Sequence, residues 1–157
     1  MGLHEVDGFH DFGHLRISYS VENAWARVRN DSSDENWLLV GYRAPTAVEE
    51  GGVREHRRID EIVIVGEGSG GRAECLHCVD DLMAKAAAAA AEGEAIPSSL
   101  VVYGGVRVIG VDDNSGSGIV SRRNKFAFFS LLPDGTPPKW RAKAGMNEGH
   151  VREVSLR

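Results

Sequence analysis

Apolar and polar positions along the chain alternate with two different periods, and each period predicts a different kind of element. Val21, Ala24, Trp25 and Val28 recur at helical spacing in V-E-N-A-W-A-R-V-R, with Ser20 placed to cap the first turn, so a short amphipathic helix is predicted there. Turn residues fill Asn30 to Asn36. The runs W-L-L-V-G-Y, Trp37 to Tyr42, and Asp60 to Val65 then have the length and β-branched or aromatic content of buried strands. Arg72 to Glu92 is helical in composition, its run Ala86 to Ala91 having strong intrinsic propensity, and Gly93 to Ser99 ends it. Beyond it, Leu100 to Val111 predicts a third strand with a kink at Gly104 and Gly105, Asp112 to Gly118 a polar turn, and Lys125 to Leu132 a fourth strand. After the tight turn P-D-G-T-P-P, a short final strand is predicted at Lys139 to Ala144 and a helix beginning at Asn147.

Two stretches carry no period. Residues 1–18, with His4, His10 and His14 scattered among Gly, Asp and Phe, read as a flexible N-terminal leader; a three-histidine metal site is the alternative, although the spacing fits no ligand pair on one helix or strand. Residues 44–58 mix Pro, Gly and charge and read as a long loop. The short Gly-rich link between the third and fourth strands makes that pair antiparallel. Residues 19–157 are thereby expected to form a single domain, which suits a chain of 157 residues.

Composition narrows the classes. Hydrophobic residues make up 42% and charged residues 26%, no apolar run approaches a membrane span, and the N-terminus lacks a signal-like apolar core, which together lead us to expect a cytoplasmic protein. The net charge of -5 gives no bulk attraction to nucleic acid or acidic membranes. An anionic partner would have to be met by a local patch, and one exists late in the chain, in S-R-R-N-K-F and K-W-R-A-K. Cys75 and Cys78 stand in one C-L-H-C stretch without a second ligand pair, so they read as small hydrophobes on a partly buried helix, and neither metal nor cofactor is expected.

The stretch V-I-V-G-E-G-S-G-G-R-A-E-C-L raises a different possibility. Gly66, Gly68 and Gly71 match the G-x-G-x-x-G of dinucleotide sites, between a strand and a helix. The supporting parts are missing. The position about 20 residues on, where an acid at the end of the next strand should take the ribose, falls in the alanine helix. Nor does the chain offer a recognisable reaction centre, so GEGSGG reads as a flexible turn and the protein as a non-enzyme, with a small dinucleotide-binding protein as the minor alternative.

From Ala24 to Val154 the chain resembles the coactosins of the actin-depolymerising factor homology (ADF-H) family. A-W-A-R-V-R-N-D-S-S-D-E-N-W is similar to that family's first helix and strand, I-V-G-E-G-S-G-G to its glycine turn, and S-R-R-N-K-F-A-F with the later R-A-K-A-G to its S-K-R-S-K-F-A-L and R-A-K-T-G. The resemblance implies an α/β (α+β) fold of the gelsolin/cofilin-like kind, a central mixed sheet of about five strands sandwiched by helices. It also implies a final helix shorter than the family's, since V-R-E-V matches a point from which relatives run several turns further. The implied function is binding to the sides of actin filaments, with weak or no binding of monomeric actin, by a cytoplasmic, cytoskeletal monomer that acts on filament dynamics. Lys125 then matches the lysine of the filament-binding motif, Arg123 and Arg122 its basic neighbours, Arg141 and Lys143 the R-A-K block, and Arg152 the V-R-E-V block; Glu148 stands where the family has a lysine. Physical chemistry is compatible with this, because actin is acidic and a basic cluster at one sheet edge would steer and orient it. Read without the resemblance, Arg122, Arg123 and Lys125 are a solvated turn before a strand. An ADF-H module with a non-actin protein partner is the other reading.

Overall fold

The computed structural model describes residues 8–43, 59–114 and 116–157. The expected loop at 44–58, and residues 1–7 of the expected leader with His4, lie outside the described residues. The element order is β1 (Phe9–Asp11), β2 (Leu15–Ser18), α1 (Tyr19–Arg29), β3 (Trp37–Tyr42), β4 (Asp60–Gly68), α2 (Gly71–Ala91), a single 3-10 turn (Ser98–Leu100), β5 (Val102–Asn114), β6 (Ile119–Leu131) and α3 (Pro138–Ser155). The strands form one sheet in the order β1-β2-β4-β3-β5-β6. It is mixed, because β2 runs parallel to β4 while every other neighbour is antiparallel.

Helices cover both faces. On one side α1 and α3 close a core of Leu15, Ile17, Val21, Trp25, Val28, Leu38, Val40, Tyr103, Val151 and Val154. On the other, α2 closes a core of Trp37, Leu39, Cys75, Leu82, Ala86, Leu100 and Val102. The four-residue stripe predicted for α1 is its buried face, and β3 spans the predicted residues with all six buried, as a central strand covered on both faces must be.

Five expectations are corrected. The sheet has six strands because the supposed leader supplies two: Leu15 and Ile17 alternate with polar neighbours and are fully buried, so residues 9–11 and 15–18 are strand. Since β2 runs straight into α1, the cap is Ser18, whose Oγ accepts from Val21 N–H at 3.4 Å, and Ser20 lies inside the helix. The strand β4 continues through Gly66 and Gly68, which pair with Leu39 and Trp37. No kink occurs at Gly104 and Gly105; the register across them is continuous, and their missing Cβ atoms admit Phe129 and Leu39 on one face, Phe126 and Trp25 on the other. Finally, Lys139 to Ala144 is the first part of α3, not a strand, since Pro138 starts the helix and Ala144, Asn147, Val151 and Val154 make one inward stripe.

Asn147 is a polar member of that stripe, only 1% exposed, and it joins a hydrogen-bond relay that runs from the exposed His14 into the core. His14 Nε2 donates to Asn147 Oδ1 at 3.0 Å, Asn147 Nδ2 donates to Tyr42 Oη at 2.9 Å, Tyr42 Oη lies 3.2 Å from Tyr103 Oη, and Tyr103 O–H donates to the Ala144 carbonyl at 2.7 Å. Burial raises the pKa of both phenols, and for Tyr103 the neighbouring Tyr42 raises it further. A phenol whose folded-state pKa exceeds its unfolded value keeps its proton longer in the fold. The stability it contributes is therefore complete below about 10 and falls as pH rises above that. Urea midpoints are expected to hold from pH 8 to 9.5 and drop by pH 11, with a shallower drop in Tyr103→Phe; a flat profile to pH 11 would contradict the relay's role.

Candidate functional site: a basic strand at the sheet edge

The two longest strands make the most prominent feature. β5 and β6 pair over thirteen residues each without a register shift. β3 accompanies β5 only as far as the Trp37 and Val106 pair. Residues 107–114 and 119–126 therefore run on as a two-stranded arm roughly 25 Å long at strand rise. Arg107 fixes its base: its guanidinium donates to the carbonyls of Val28, Asn30 and Ser33, tying the arm to the end of α1. This anchor was not singled out in the sequence, where an arginine inside an apolar strand gives no sign of where it will point.

Arg122, Arg123 and Lys125 are exposed residues of β6 on this arm, within the strand itself and at the edge of the sheet. Strand alternation separates them. Arg122, opposite Val111, shares the face of Phe126 and Phe128 on the α1 and α3 side; Arg123, opposite Gly110, and Lys125, opposite Val108, lie on the α2 side. Gly110 makes a seat for the lysine, whose Cδ and Cε occupy the space a Cβ there would take. Among the described residues none of the three cations makes a side-chain hydrogen bond or ion pair. Four large aliphatic residues accompany them in the open, Ile109, Val111, Ile119 and Val120. Sequence reasoning left Ile109 and Val111 inside a strand and gave Ile119 and Val120, between the polar turn and the fourth strand, no element; their places on either side of D-D-N-S-G-S-G were the available signal.

The remaining cations of the predicted set lie elsewhere. Lys143 sits at the opposite end of the sheet, 2.9 Å from the largely buried Asp60 carboxylate and over the Trp140 ring at 4.5 Å. Arg141 is close by in sequence and donates to the Thr136 carbonyl at 3.2 Å. Tyr42, against which Trp140 packs, is about nine strand residues from the level of Arg122, or about 30 Å. Arg152 lies between, 4.9 Å over the Phe128 ring and 3.5 Å from Glu148. The structure thus groups Arg122, Arg123 and Lys125, leaves Arg152 flanking them on one face, and separates Arg141 and Lys143.

The glycine turn is occupied by the protein's own groups. Gly71 opens α2 with φ of 68°, its N–H donating to Asn36 Oδ1 at 2.8 Å, while Asn36 Nδ2 donates to the Ser69 carbonyl at 3.0 Å. Trp37 Nε1 donates to Glu74 Oε1 at 2.9 Å, and the Glu74 carboxylate fills the space beside Gly68 and Gly70. A carboxylate thus stands where a phosphate would approach the helix start. Cys75 and Cys78 are free on α2; burial pushes the Cys75 thiol up to about 11 and raises that of Cys78, which suits packing residues rather than nucleophiles. His10 is 2.6 Å from Glu22 and His14 bonds Asn147, and among the described residues no three His, Cys, Asp or Glu are grouped as metal ligands would be. No helix among the described residues is long and apolar enough to cross a membrane.

No family model matches the chain, and no curated protein matches it. Solved structures do. This arrangement of a mixed sheet between helices is the ADF-H fold, and three of the similar structures are coactosins. The chain is similar to human coactosin-like protein, with 19% identity over 88% of this chain and 76% of that one and a TM-score of 0.53. It is similar to coactosin from Entamoeba histolytica, with 20% identity over 85% of this chain and 72% of that one and a TM-score of 0.54. A point variant of the human protein, solved in solution, matches with 18% identity over 92% and 75% and a TM-score of 0.52. The coactosin fold expected from the sequence blocks is thereby shown, with a sixth strand added.

Proposed function

We propose that this protein is a non-enzymatic binder of actin filaments, attaching to their sides through the β5 and β6 arm and working on the cytoplasmic cytoskeleton. The observation that carries the reading is the S-R-R-N-K-F-A-F block itself: on a coactosin fold, its three cations stand exposed, without an ion pair among the described residues, on an edge strand of an otherwise acidic domain. Exposed charges at an interface rim act mainly on the association rate and on salt dependence, whereas the flanking aliphatic residues would contribute contact once the partner is seated. Arg152 adds a fourth cation beside the arm. Glu148, 3.5 Å from it, offsets part of that charge.

Co-sedimentation with actin filaments in a salt series tests this. The protein is expected to pellet at low salt and release as salt rises, and Lys125→Ala is expected to weaken pelleting several-fold without moving the melting temperature. A folded protein that stays in the supernatant at the lowest salt would refute it.

One observation favours the reading in which the partner is another protein. Two of the six cations implied as a site, Arg141 and Lys143, stand far from the arm, and Lys143 is engaged by Asp60. Under that reading the arm would still be the docking element, and filaments would not compete for it.

A further inference from the structure

The two edges of the sheet are built differently. β1, at one edge, has three residues, and a strand that short offers little template for further pairing. β6, at the other, has thirteen residues, contains no proline, and pairs with β5 without a bulge. Its outer edge has no neighbouring strand among the described residues, and along 119–125 every residue but the half-buried Ser121 is exposed. Among the described residues, the guard on this edge strand is charge, as Arg122, Arg123 and Lys125.

Those charges guard selectively. In the register that would pair the whole of β6 antiparallel with the same strand of a second copy, Lys125 would face Lys125, and like charges directly opposite are destabilising. The same charges would attract an acidic strand. We propose that the outer edge of β6 accepts an extended acidic segment of a protein partner by strand addition, with backbone hydrogen bonds supplying the pairing and the three cations selecting the sequence.

Strand alternation fixes the pattern such a segment needs. In antiparallel addition, a residue opposite Lys125 is followed two positions later by one opposite Arg123 and three positions later by one opposite Arg122. Both faces are then satisfied by acid-x-acid-acid. The next residues but one fall opposite Val120 and Ile119, which are 55% and 65% exposed and would be covered by β-branched side chains. The matching sequence is E-T-E-E-T-V-V. This proposal does not depend on filament binding: a protein that ignores filaments could still take the peptide, and one that pellets with filaments could refuse it.

The test uses the full chain and three fluorescein-labelled peptides: E-T-E-E-T-V-V, the same sequence N-methylated at alternate backbone positions, and a scrambled form of the same charge. Anisotropy at low salt is expected to show saturable binding of the first peptide, with affinity at least about tenfold weaker for the other two, and hydrogen exchange is expected to slow in β6. An Arg123→Glu, Lys125→Glu double variant should lose binding by a similar factor. N-methylation removes pairing donors without touching the protein, so the result stands even if the double variant misfolds. Equal binding of the N-methylated or scrambled peptide would reduce the edge to a diffuse charge effect and overturn the proposal, as would absence of saturable binding or protection confined to strands other than β6.

Discussion

Trp25→Ala is expected to lower the unfolding free energy by about 3–5 kcal/mol, a large share of what a domain of this size usually has. The indole is fully buried on the inner stripe of α1, edge-on to Phe126 with ring centroids 5.6 Å apart and 6.1 Å from Phe128. It also occupies the space opened by Gly105, where an added Cβ would collide with both Trp25 and Phe126. Three elements meet on this one side chain, so neighbouring groups cannot collapse into the cavity without breaking sheet register. Since Phe126 and Phe128 root the arm, hydrogen exchange in β6 is expected to quicken in the variant. A loss below about 1 kcal/mol in urea unfolding would show that the core re-forms without it.

Reversing Arg122, Arg123 and Lys125 to glutamate together is expected to abolish filament pelleting at physiological salt while leaving the melting temperature within a degree or two of wild type. The three side chains are exposed and make no ion pair among the described residues, so their replacement takes little from the fold. Their effect on a charged partner is larger, because steering by a local patch changes association rates by about 10- to 1,000-fold and repulsion replaces attraction at each position. Lys143→Ala should do the opposite. It leaves the Asp60 carboxylate, 9% exposed, without its cation, and so should destabilise the fold while sparing filament binding.

Where the apolar period was clean, the sequence was legible. The α1 stripe and the six residues of β3 are buried as their spacing implies, and the antiparallel pairing of the two late strands follows from the short link between them. The misses share a cause, which is that glycine and polar residues interrupt a period without ending an element. Gly66 and Gly68 looked like a turn because their strand role depends on Trp37, which packs across β4 from the neighbouring strand. Leu15 and Ile17 alternate correctly, but two apolar residues in a stretch of Gly and His are too few to outweigh their surroundings. In α3 the stripe is broken by the buried Asn147, whose partners Tyr42 and His14 lie far away in sequence, and its solvent side holds Gly145 and Gly149.

The site was legible as a composition and not as a place. The basic residues of S-R-R-N-K-F and K-W-R-A-K suggested one cluster, whereas the strand carries the first group outward and the start of α3 carries the second back to the opposite end of the sheet. Spacing within a segment shows which side chains share a face; which segments become neighbours is set by sheet order, and that depends on contacts across the whole chain.

The most direct measurement is parallel co-sedimentation with actin filaments of wild type, the Arg122, Arg123 and Lys125 triple reversal, and an Arg141→Ala, Lys143→Ala double variant, each with a thermal melt. Wild type and the double variant are expected to pellet alike at low salt while the folded triple variant stays in the supernatant. Equal pelleting of wild type and the folded triple variant would contradict the arm as the filament-binding element.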